Sequence, residues 1–173
     1  AQVKLLSSAQ IQGMTTNQVK ALTSTVINAL ADTQIQALST SQVQSVSTTL
    51  ATNISTSVLQ KLTTTQAQAL TSTMVNTFTT GQVQALTTNQ LNAMGSTMVS
   101  NLSSTNLRAL SSTQIAALTS TALAGLSSTQ APLLQTAQVR SLSTAQLASL
   151  SSQVFGALSS TQIQSLSSTQ VSG

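Results

Sequence analysis

The sequence predicts an all-α solenoid with three sides, built from very short helices, with one octapeptide per side and three octapeptides per coil. Three observations carry this prediction: an unbroken octapeptide repeat, a helix-start signal in octad after octad, and a longer period of three octads. The repeat keeps one register throughout, so residues 1–173 are predicted to form a single repeat solenoid without an internal boundary. The alternative fold is a three-sided β-solenoid.

The octapeptide repeat is defined by two apolar positions. When Leu166 is placed at position eight, that position is large and apolar in all 21 octads back to Leu6, and position five is apolar at all 22 sites from Val3 to Val171. A single long helix does not fit, because the apolar stripe would rotate by about 80° per octad. A single strand does not fit either, because positions five and eight would face opposite sides. The chain must therefore turn within every octad.

The helix-start signal is the phrase LSSTQI, residues 158–163. With Ser159 as N-cap, Gln162 stands at the third helical position, and the pair forms a capping box. Leu158 and Ile163 are then placed to form a hydrophobic staple across the same turn. Helices this short are unstable alone, so we expect neighbouring coils to hold them, as in a solenoid.

Three residues mark irregular octads. Ala31 and Gly95 stand at position one, where 18 of 21 octads have Ser or Thr, so the helices that follow them are predicted to be weakly capped. Pro132 stands at position six and lacks the N–H that a helical turn uses, which predicts a local kink.

Position four gives the longer period. It is Gln at 14 of 22 sites, but it is apolar at five sites that recur at every third octad: Val26, Leu50, Met74, Met98 and Ala122. We interpret this spacing as three octads per coil, so that equivalent positions of every third octad stack. One edge would then carry an apolar ladder, and the other edges would show mainly Gln. The ladder is a candidate seam for lateral association. The alternative is a wider core on that side.

Composition excludes several classes of function. The chain has no Cys and no His, and Asp32 is its single carboxylate, so we expect no enzyme, no metal site and no cofactor. Six charges are scattered along the chain and only Phe78 and Phe155 are aromatic, which argues against nucleic-acid binding. Without a run of about 18 apolar residues, membrane insertion is not expected.

The octads also resemble a known group of repeats. The phrases TTNQVKAL, TTGQVQAL and SSTQIAAL are similar to Ser/Thr/Gln-rich octapeptide repeats of very large secreted bacterial surface proteins, often labelled adhesins or haem-utilisation proteins. The resemblance covers the whole chain and implies an extracellular or cell-surface location, with contact to a cell surface or glycan as one possibility. It does not carry haem binding over, because His, Cys and Tyr are absent.

The functional expectation is structural: a subunit or segment of a filament, sheath or adhesin stalk that assembles end to end with copies of itself. The chain begins and ends within octads without a divergent polar cap, and such ends can join head to tail into an open fibre. The residues predicted to form the joining ends are Val3, Leu6, Ile163, Leu166 and Val171.

The alternative function is an ice- or carbohydrate-binding surface. The T-x-T triplets that begin at Thr23, Thr71 and Thr119 would form a flat array of hydroxyls if the solenoid were β.

Overall fold

A computed structural model describes residues 2–172 and confirms the all-α solenoid. Residues 2–172 contain no strand, so the β-solenoid alternative is wrong. A 3₁₀ helix at Gln2–Leu5 (η1) opens the chain, and a second (η2) lies at Ala131–Leu133. The α-helices are α1 Ser8–Gln12, α2 Thr16–Lys20, α3 Ser24–Ile27, α4 Asp32–Ala37, α5 Thr40–Ser45, α6 Thr48–Ala51, α7 Thr56–Lys61, α8 Thr64–Gln68, α9 Ser72–Val75, α10 Thr80–Ala85, α11 Thr88–Asn101, α12 Ser104–Ala109, α13 Ser112–Ala117, α14 Ser120–Leu123, α15 Thr136–Arg140, α16 Thr144–Ala148, α17 Ser152–Gly156, α18 Ser160–Gln164 and α19 Ser168–Ser172.

Position one is the N-cap, as predicted. At Ser39 the side-chain oxygen accepts from the Gln42 N–H at 3.2 Å, while Gln42 Oε1 accepts from the Ser39 N–H at 2.7 Å. The same capping box precedes α18, where the partners are Ser159 and Gln162. Each box satisfies two N–H groups that a short helix cannot pair internally. Local sequence therefore decides where every turn of the solenoid begins.

Three octads complete one coil. Helices that pack against each other along the solenoid are three octads apart in sequence, as α1 packs on α4, α2 on α5, α7 on α10 and α15 on α18. Equivalent positions of every third octad consequently stack, which confirms the interpretation of the longer period. Since most of these helices are only four to six residues long, this stacking and not helix propensity holds them in shape.

Positions five and eight form the core. Val19, Ile115 and Val139 at position five are at most 1% exposed, and one apolar cluster runs from Ile11 to Leu158. Side chains at position eight are buried as well, among them Leu110, Leu118 and Leu142. The core is thus a continuous column along the inside of the solenoid.

The octads of Pro132, Ala31 and Gly95 each depart from the regular helix start. The sequence predicts a local kink at Pro132; this residue lies in η2, and its octad has this 3₁₀ turn in place of an α-helix. Ala31 has no side-chain cap hydrogen bond. At Gly95 the chain kinks inside α11 with φ 71° and ψ −171°, a conformation that favours glycine. A β-carbon at Gly125 would lie 2.0 Å from the Ser96 carbonyl oxygen, so the coil above this kink needs a second glycine.

Candidate functional site: the polar ladder and the two ends

The glutamine at position four joins each coil to the one before it. Gln90 Oε1 accepts from the N-cap Thr87 N–H at 2.8 Å, which completes the capping box. Its Nε2 donates to the Leu59 carbonyl at 2.8 Å and the Leu62 carbonyl at 2.7 Å, 31 and 28 residues earlier. One side chain therefore caps its own helix and satisfies the carbonyls at a corner of the preceding coil, where a helix end leaves acceptors without partners.

This contact recurs along the whole solenoid. It links position four to the carbonyls of positions five and eight of the octad four places earlier. The glutamines that make it are Gln34, Gln42, Gln66, Gln82, Gln90, Gln114, Gln130, Gln138, Gln146, Gln162 and Gln170. Asn106, whose side chain is one carbon shorter than that of Gln, makes one of the two contacts, to the Val75 carbonyl. We call this set the polar ladder.

The sequence predicts that most position-four glutamines are exposed along the edges of the rod, but the structure buries most of them. Gln90 and Gln138 are 2% exposed, because their amides lie between two coils. The signal in the sequence is that position four uses Gln and never Glu. A capping box accepts Glu as well as Gln, yet the chain contains no Glu. Only an amide can accept from the N-cap and donate to two carbonyls at the same time.

A second set of contacts serves three of the octads that lack this glutamine. Asn92 Oδ1 accepts from the Thr119 N–H at 2.8 Å, and its Nδ2 donates to the Ala117 carbonyl at 2.9 Å. The octad of Thr119 has Ala122 at position four, so its N-cap N–H has no glutamine to meet. The same pairing joins Asn28 to Ser55 and Asn76 to Ser103, and these octads have Val58 and Asn106 at position four. In sequence, the fourth octad after each position-six Asn has a residue other than Gln at position four.

A third contact joins position seven to position two of the preceding coil. Ser45 Oγ lies 3.4 Å from the Thr16 carbonyl oxygen in this relation, which spans 29 residues. Lys61 Nζ and Asp32 Oδ1 form an ion pair at 2.6 Å in the same relation. Because both charged side chains remain partly exposed, the pair stabilises the fold by at most about 1 kcal/mol.

The C-terminal end exposes apolar side chains that are buried elsewhere. Phe155 is 41% exposed, Ile163 38% and Val171 70%, whereas Ile115, at the same repeat position, is 1% exposed. They border an open groove of about 630 Å³ that also includes Leu166. These residues stand in α17, α18 and α19, the last three sides that the structure describes, and no coil within residues 2–172 covers them. Three of the five residues predicted to form the ends therefore lie together.

The N-terminal end exposes one apolar side chain and two glutamines. Val3 and Leu6 are half-buried and pack against the core, and Leu5 beside them is 84% exposed. Gln10 and Gln18 form capping boxes with Ser7 and Thr15, but they are exposed and their Nε2 atoms meet no acceptor within residues 2–172.

Most of the residues predicted to form a lateral seam are buried in the core. Leu50, Met74, Met98 and Ala122 are at most 8% exposed, and Val26, in the first complete coil, is half-buried. This is the wider core of the alternative interpretation. With most of the ladder inside the solenoid, these side chains are not available to bind a neighbouring rod.

The threonine triplets are used for helix capping. Thr71 and Thr119 hydroxyl oxygens each accept from a backbone N–H at 3.2 Å, and the Thr23 hydroxyl does so at 3.4 Å. The array predicted for an ice- or carbohydrate-binding surface required a β-solenoid, and that fold is absent from residues 2–172. Within the same residues, none of the helices combines the length and the hydropathy needed to cross a bilayer.

Comparison with known proteins supports the repeat. The family described as the ALTTAQ repeat matches residues 132–168, about a fifth of the chain. Within the matched residues the phrases similar to this name are SLSTAQ at 141–146 and ALSSTQ at 157–162, and each runs from position seven through the N-cap to a position-four glutamine. The two glutamines, Gln146 and Gln162, both belong to the polar ladder. No curated protein and no solved structure matches the chain.

Proposed function

We propose that this chain is a structural rod, a segment or subunit of an extracellular filament, sheath or adhesin stalk that associates end to end with copies of itself. The observation that carries the proposal is the exposure of Phe155, Ile163 and Val171 on the last three sides. Everywhere between the ends, the next coil of the same repeat covers this surface. A second copy offers such a coil at its N-terminal end.

The energetic case rests on apolar burial with little opposing charge. Full burial of an Ile, Val or Phe side chain contributes about 1.5–3 kcal/mol, so the exposed part of three such side chains contributes a useful fraction of that sum. The six charges of the chain give a net charge of +4 spread over 173 residues, and α17, α18 and α19 contain none of them. Electrostatic repulsion between the ends is therefore weak.

The proposed location rests on composition and on the repeat. A surface of Ser, Thr and Gln with 3% charged residues and no Cys suits an extracellular structural protein. The resemblance to repeats of secreted bacterial surface proteins supports the same location, with contact to a cell surface or a glycan as an additional role. The partner that the structure supports most directly is another copy of the chain.

The test is to remove the apolar end and measure particle size. We expect the wild-type chain to form elongated particles in light scattering and in negative-stain micrographs. Replacing Leu166→Lys and Val171→Lys together should shift the population to monomers, because two cations would be buried in the joint.

The control is the double variant Gln84→Lys and Thr113→Lys, which adds the same charge at exposed positions on the sides of the solenoid. It should assemble like the wild type. A wild-type chain that stays monomeric at high concentration, or end variants that assemble as well as the control, would contradict the proposal.

A further inference from the structure

We propose that Asn53 and Asn101 are acceptor sites for N-linked glycosylation, in which a sugar activated by a phosphate group is the second substrate. This proposal rests on the extracellular location in the proposed function, and not on the end-to-end association. It is carried by two matching motifs and by the surroundings that the structure gives them. Residues 53–55 read Asn-Ile-Ser and residues 101–103 read Asn-Leu-Ser, and both match the acceptor pattern Asn-x-Ser/Thr in which x is not proline.

The repeat brings both motifs to the same position. Asn occupies position seven only at these two sites, and the apolar residue at position eight and the N-cap serine of the next octad complete the motif. The six other asparagines of the chain lie outside the motif. The two sites are six octads apart, so with three octads per coil they lie two coils apart on the same edge of the solenoid.

The structure exposes the two asparagines and turns the residues that follow them inward. Asn53 lies in the turn after α6, Asn101 is the last residue of α11, and both are exposed. Leu102 is 8% exposed and Ile54 is half-buried. A glycan attached at position seven therefore extends into solvent and leaves position eight in the core.

The two side-chain amides make the same contact. Asn53 Nδ2 donates to the Thr49 carbonyl at 2.8 Å, and Asn101 Nδ2 donates to the Thr97 carbonyl at 2.7 Å. Glycosylation replaces one of the two hydrogens on Nδ2, so the remaining hydrogen can keep this bond. The modification therefore does not require the turn to change.

An asparagine of the preceding coil holds the backbone of each motif. Asn28 Nδ2 donates to the Asn53 carbonyl at 3.0 Å, and Asn28 Oδ1 accepts from the Ser55 N–H at 2.8 Å. Asn76 holds the second motif in the same way, with both contacts at 2.8 Å. The two motifs are consequently presented in one conformation, with the acceptor side chain on the outside.

Each acceptor also borders an open groove between two coils. The groove beside Asn53 has a volume of about 190 Å³, and the groove beside Asn101 has a volume of about 250 Å³. Equivalent hydroxyl side chains line them: Thr23, Ser24 and Thr49 in the first, and Thr71, Ser72 and Thr97 in the second. These hydroxyls can exchange hydrogen bonds with a sugar attached beside them.

The reaction transfers a sugar to the amide nitrogen. In the active site of a glycosyltransferase, Nδ2 attacks the anomeric carbon of a sugar whose leaving group is a phosphate or pyrophosphate. The bond from Nδ2 to that carbon forms while the bond from the carbon to the phosphate oxygen breaks, and the phosphate leaves with the electron pair. Nδ2 releases one proton to a base, and no group is oxidised or reduced. Nucleotide-linked and lipid-linked sugars share this chemistry.

The experiment locates glycans by peptide mass spectrometry after two reactions. In one, the full chain is secreted from a eukaryotic host that transfers a lipid-linked oligosaccharide. In the other, the purified folded chain is incubated with a soluble N-glycosyltransferase and a nucleotide sugar. Asn53 and Asn101 should be modified, and the exposed Asn17 and Asn89, which lie outside the motif, should not. The reaction that modifies the sites identifies the donor; no glycan from either would overturn the proposal.

Two variants of the folded chain test the surroundings. Ala117→Asn completes a motif in an exposed turn that Asn92 holds through the Ala117 carbonyl and the Thr119 N–H, and it should gain a third glycan. Arg108→Ser completes a motif at Asn106, which is 1% exposed, and position 106 should remain unmodified. Equal modification at positions 106 and 53 in the folded chain would overturn the role of the exposed edge.

Conservative replacements separate the motif from the fold. Asn53→Gln with Asn101→Gln should abolish modification and change the melting temperature little, whereas Ser55→Thr with Ser103→Thr should retain it. Light scattering measures assembly independently. An unmodified chain that still assembles would contradict the glycosylation and leave the end-to-end association standing, and a modified chain that stays monomeric would contradict only the association.

Discussion

The octads of α13 and α14, which have Gln114 and Ala122 at position four, are joined to the preceding coil by opposite routes. In α13, Gln114 receives the N–H of its own N-cap at 2.9 Å and donates backward, to Val83 and Leu86. In α14, Ala122 can do neither, and Asn92 reaches forward from the preceding coil to the Thr119 N–H. The N-cap N–H has a partner in both cases. What differs is which coil supplies the side chain.

The comparison shows which feature the repeat must maintain. Positions five and eight can be filled by any apolar residue that fits, whereas the corner between two octads has backbone groups that need partners wherever they are buried. Within residues 2–172, every buried side-chain nitrogen or oxygen has a partner. At position four this need is met by uncharged amides, as at Gln90 and Gln114.

The largest effect is expected from removing the donor of an interior glutamine. Gln90→Glu keeps the capping-box acceptor but places a buried carboxylate beside the Leu59 and Leu62 carbonyls, which should lower the free energy of unfolding by on the order of 3 kcal/mol at neutral pH. Burial raises the pKa of such a carboxyl, so part of the stability should return in acid, below that pKa, where the neutral acid donates one hydrogen bond. Urea unfolding at two pH values measures both effects.

Gln18→Glu is the matched control for this change. Its side chain makes the same capping box with Thr15 at 2.7 Å but is exposed and makes no contact to an earlier coil. Its effect on stability should be below about 0.5 kcal/mol. Equal losses at positions 18 and 90 would show that the glutamines act only as helix caps.

The next largest effect is expected where Gly125 packs against the kinked segment of α11, in the octad that has Gly95 at position one and Met98 at position four. Gly125→Ala forces its β-carbon against the Ser96 carbonyl, and we expect a loss of about 2 kcal/mol in the free energy of unfolding. Gly81→Ala, in α10, meets no atom within 4 Å and should instead stabilise the fold by about 0.5–1 kcal/mol. Thermal melts of the two variants would separate the close approach from the general cost of glycine, and a stable Gly125→Ala variant would contradict it.

A smaller effect is expected from the forward contact. Asn92→Ala leaves the Thr119 N–H and the Ala117 carbonyl without this partner, which should cost about 1–2 kcal/mol. Gln84→Ala changes an exposed residue at the same repeat position whose side chain makes no hydrogen bond within residues 2–172, and it should be close to neutral. Hydrogen exchange of the Thr119 amide should quicken in the first variant only; unchanged exchange would contradict the pairing.

The smallest effects concern single caps. Ser111→Ala and Ser159→Ala should each cost about 1 kcal/mol, and Ala31→Ser should add a similar amount, since its helix starts without a side-chain cap. Melting of each variant by circular dichroism measures the shifts. A serine at position 31 that adds nothing would mean that the Gln34 half of the box, which accepts from the Ala31 N–H at 2.9 Å, is sufficient there.

The local features of the fold could be predicted from sequence because they depend on residues within one octad. The caps at position one, the three-octad coil and the irregular turn at Pro132 all follow from spacing and backbone chemistry. The second role of Gln90 could not, because its acceptors belong to the preceding coil and their positions depend on the stacking of coils. In the same way, glycine is needed at Gly125 because the backbone at Ser96, in another coil, passes close to it. The exposed ends were predicted by position, but the free amides of Gln10 and Gln18 became visible only beside the ladder.

The ladder also determines how a gene for such a rod can change its length. Every octad offers the same two carbonyls, so the loss or gain of a whole octad by replication slippage gives each ladder glutamine a new but equivalent partner. Asn28, Asn76 and Asn92 have specific partners 25 and 27 residues ahead. Gly125 in turn packs against the backbone of Ser96, beside the kink at Gly95. Slippage within residues 28–55 or 76–135 therefore separates matched pairs, including Gln135 and the Arg108 carbonyl, whereas slippage within residues 62–75 or after Gln135 does not. We therefore expect changes of repeat number to be tolerated best in those two stretches.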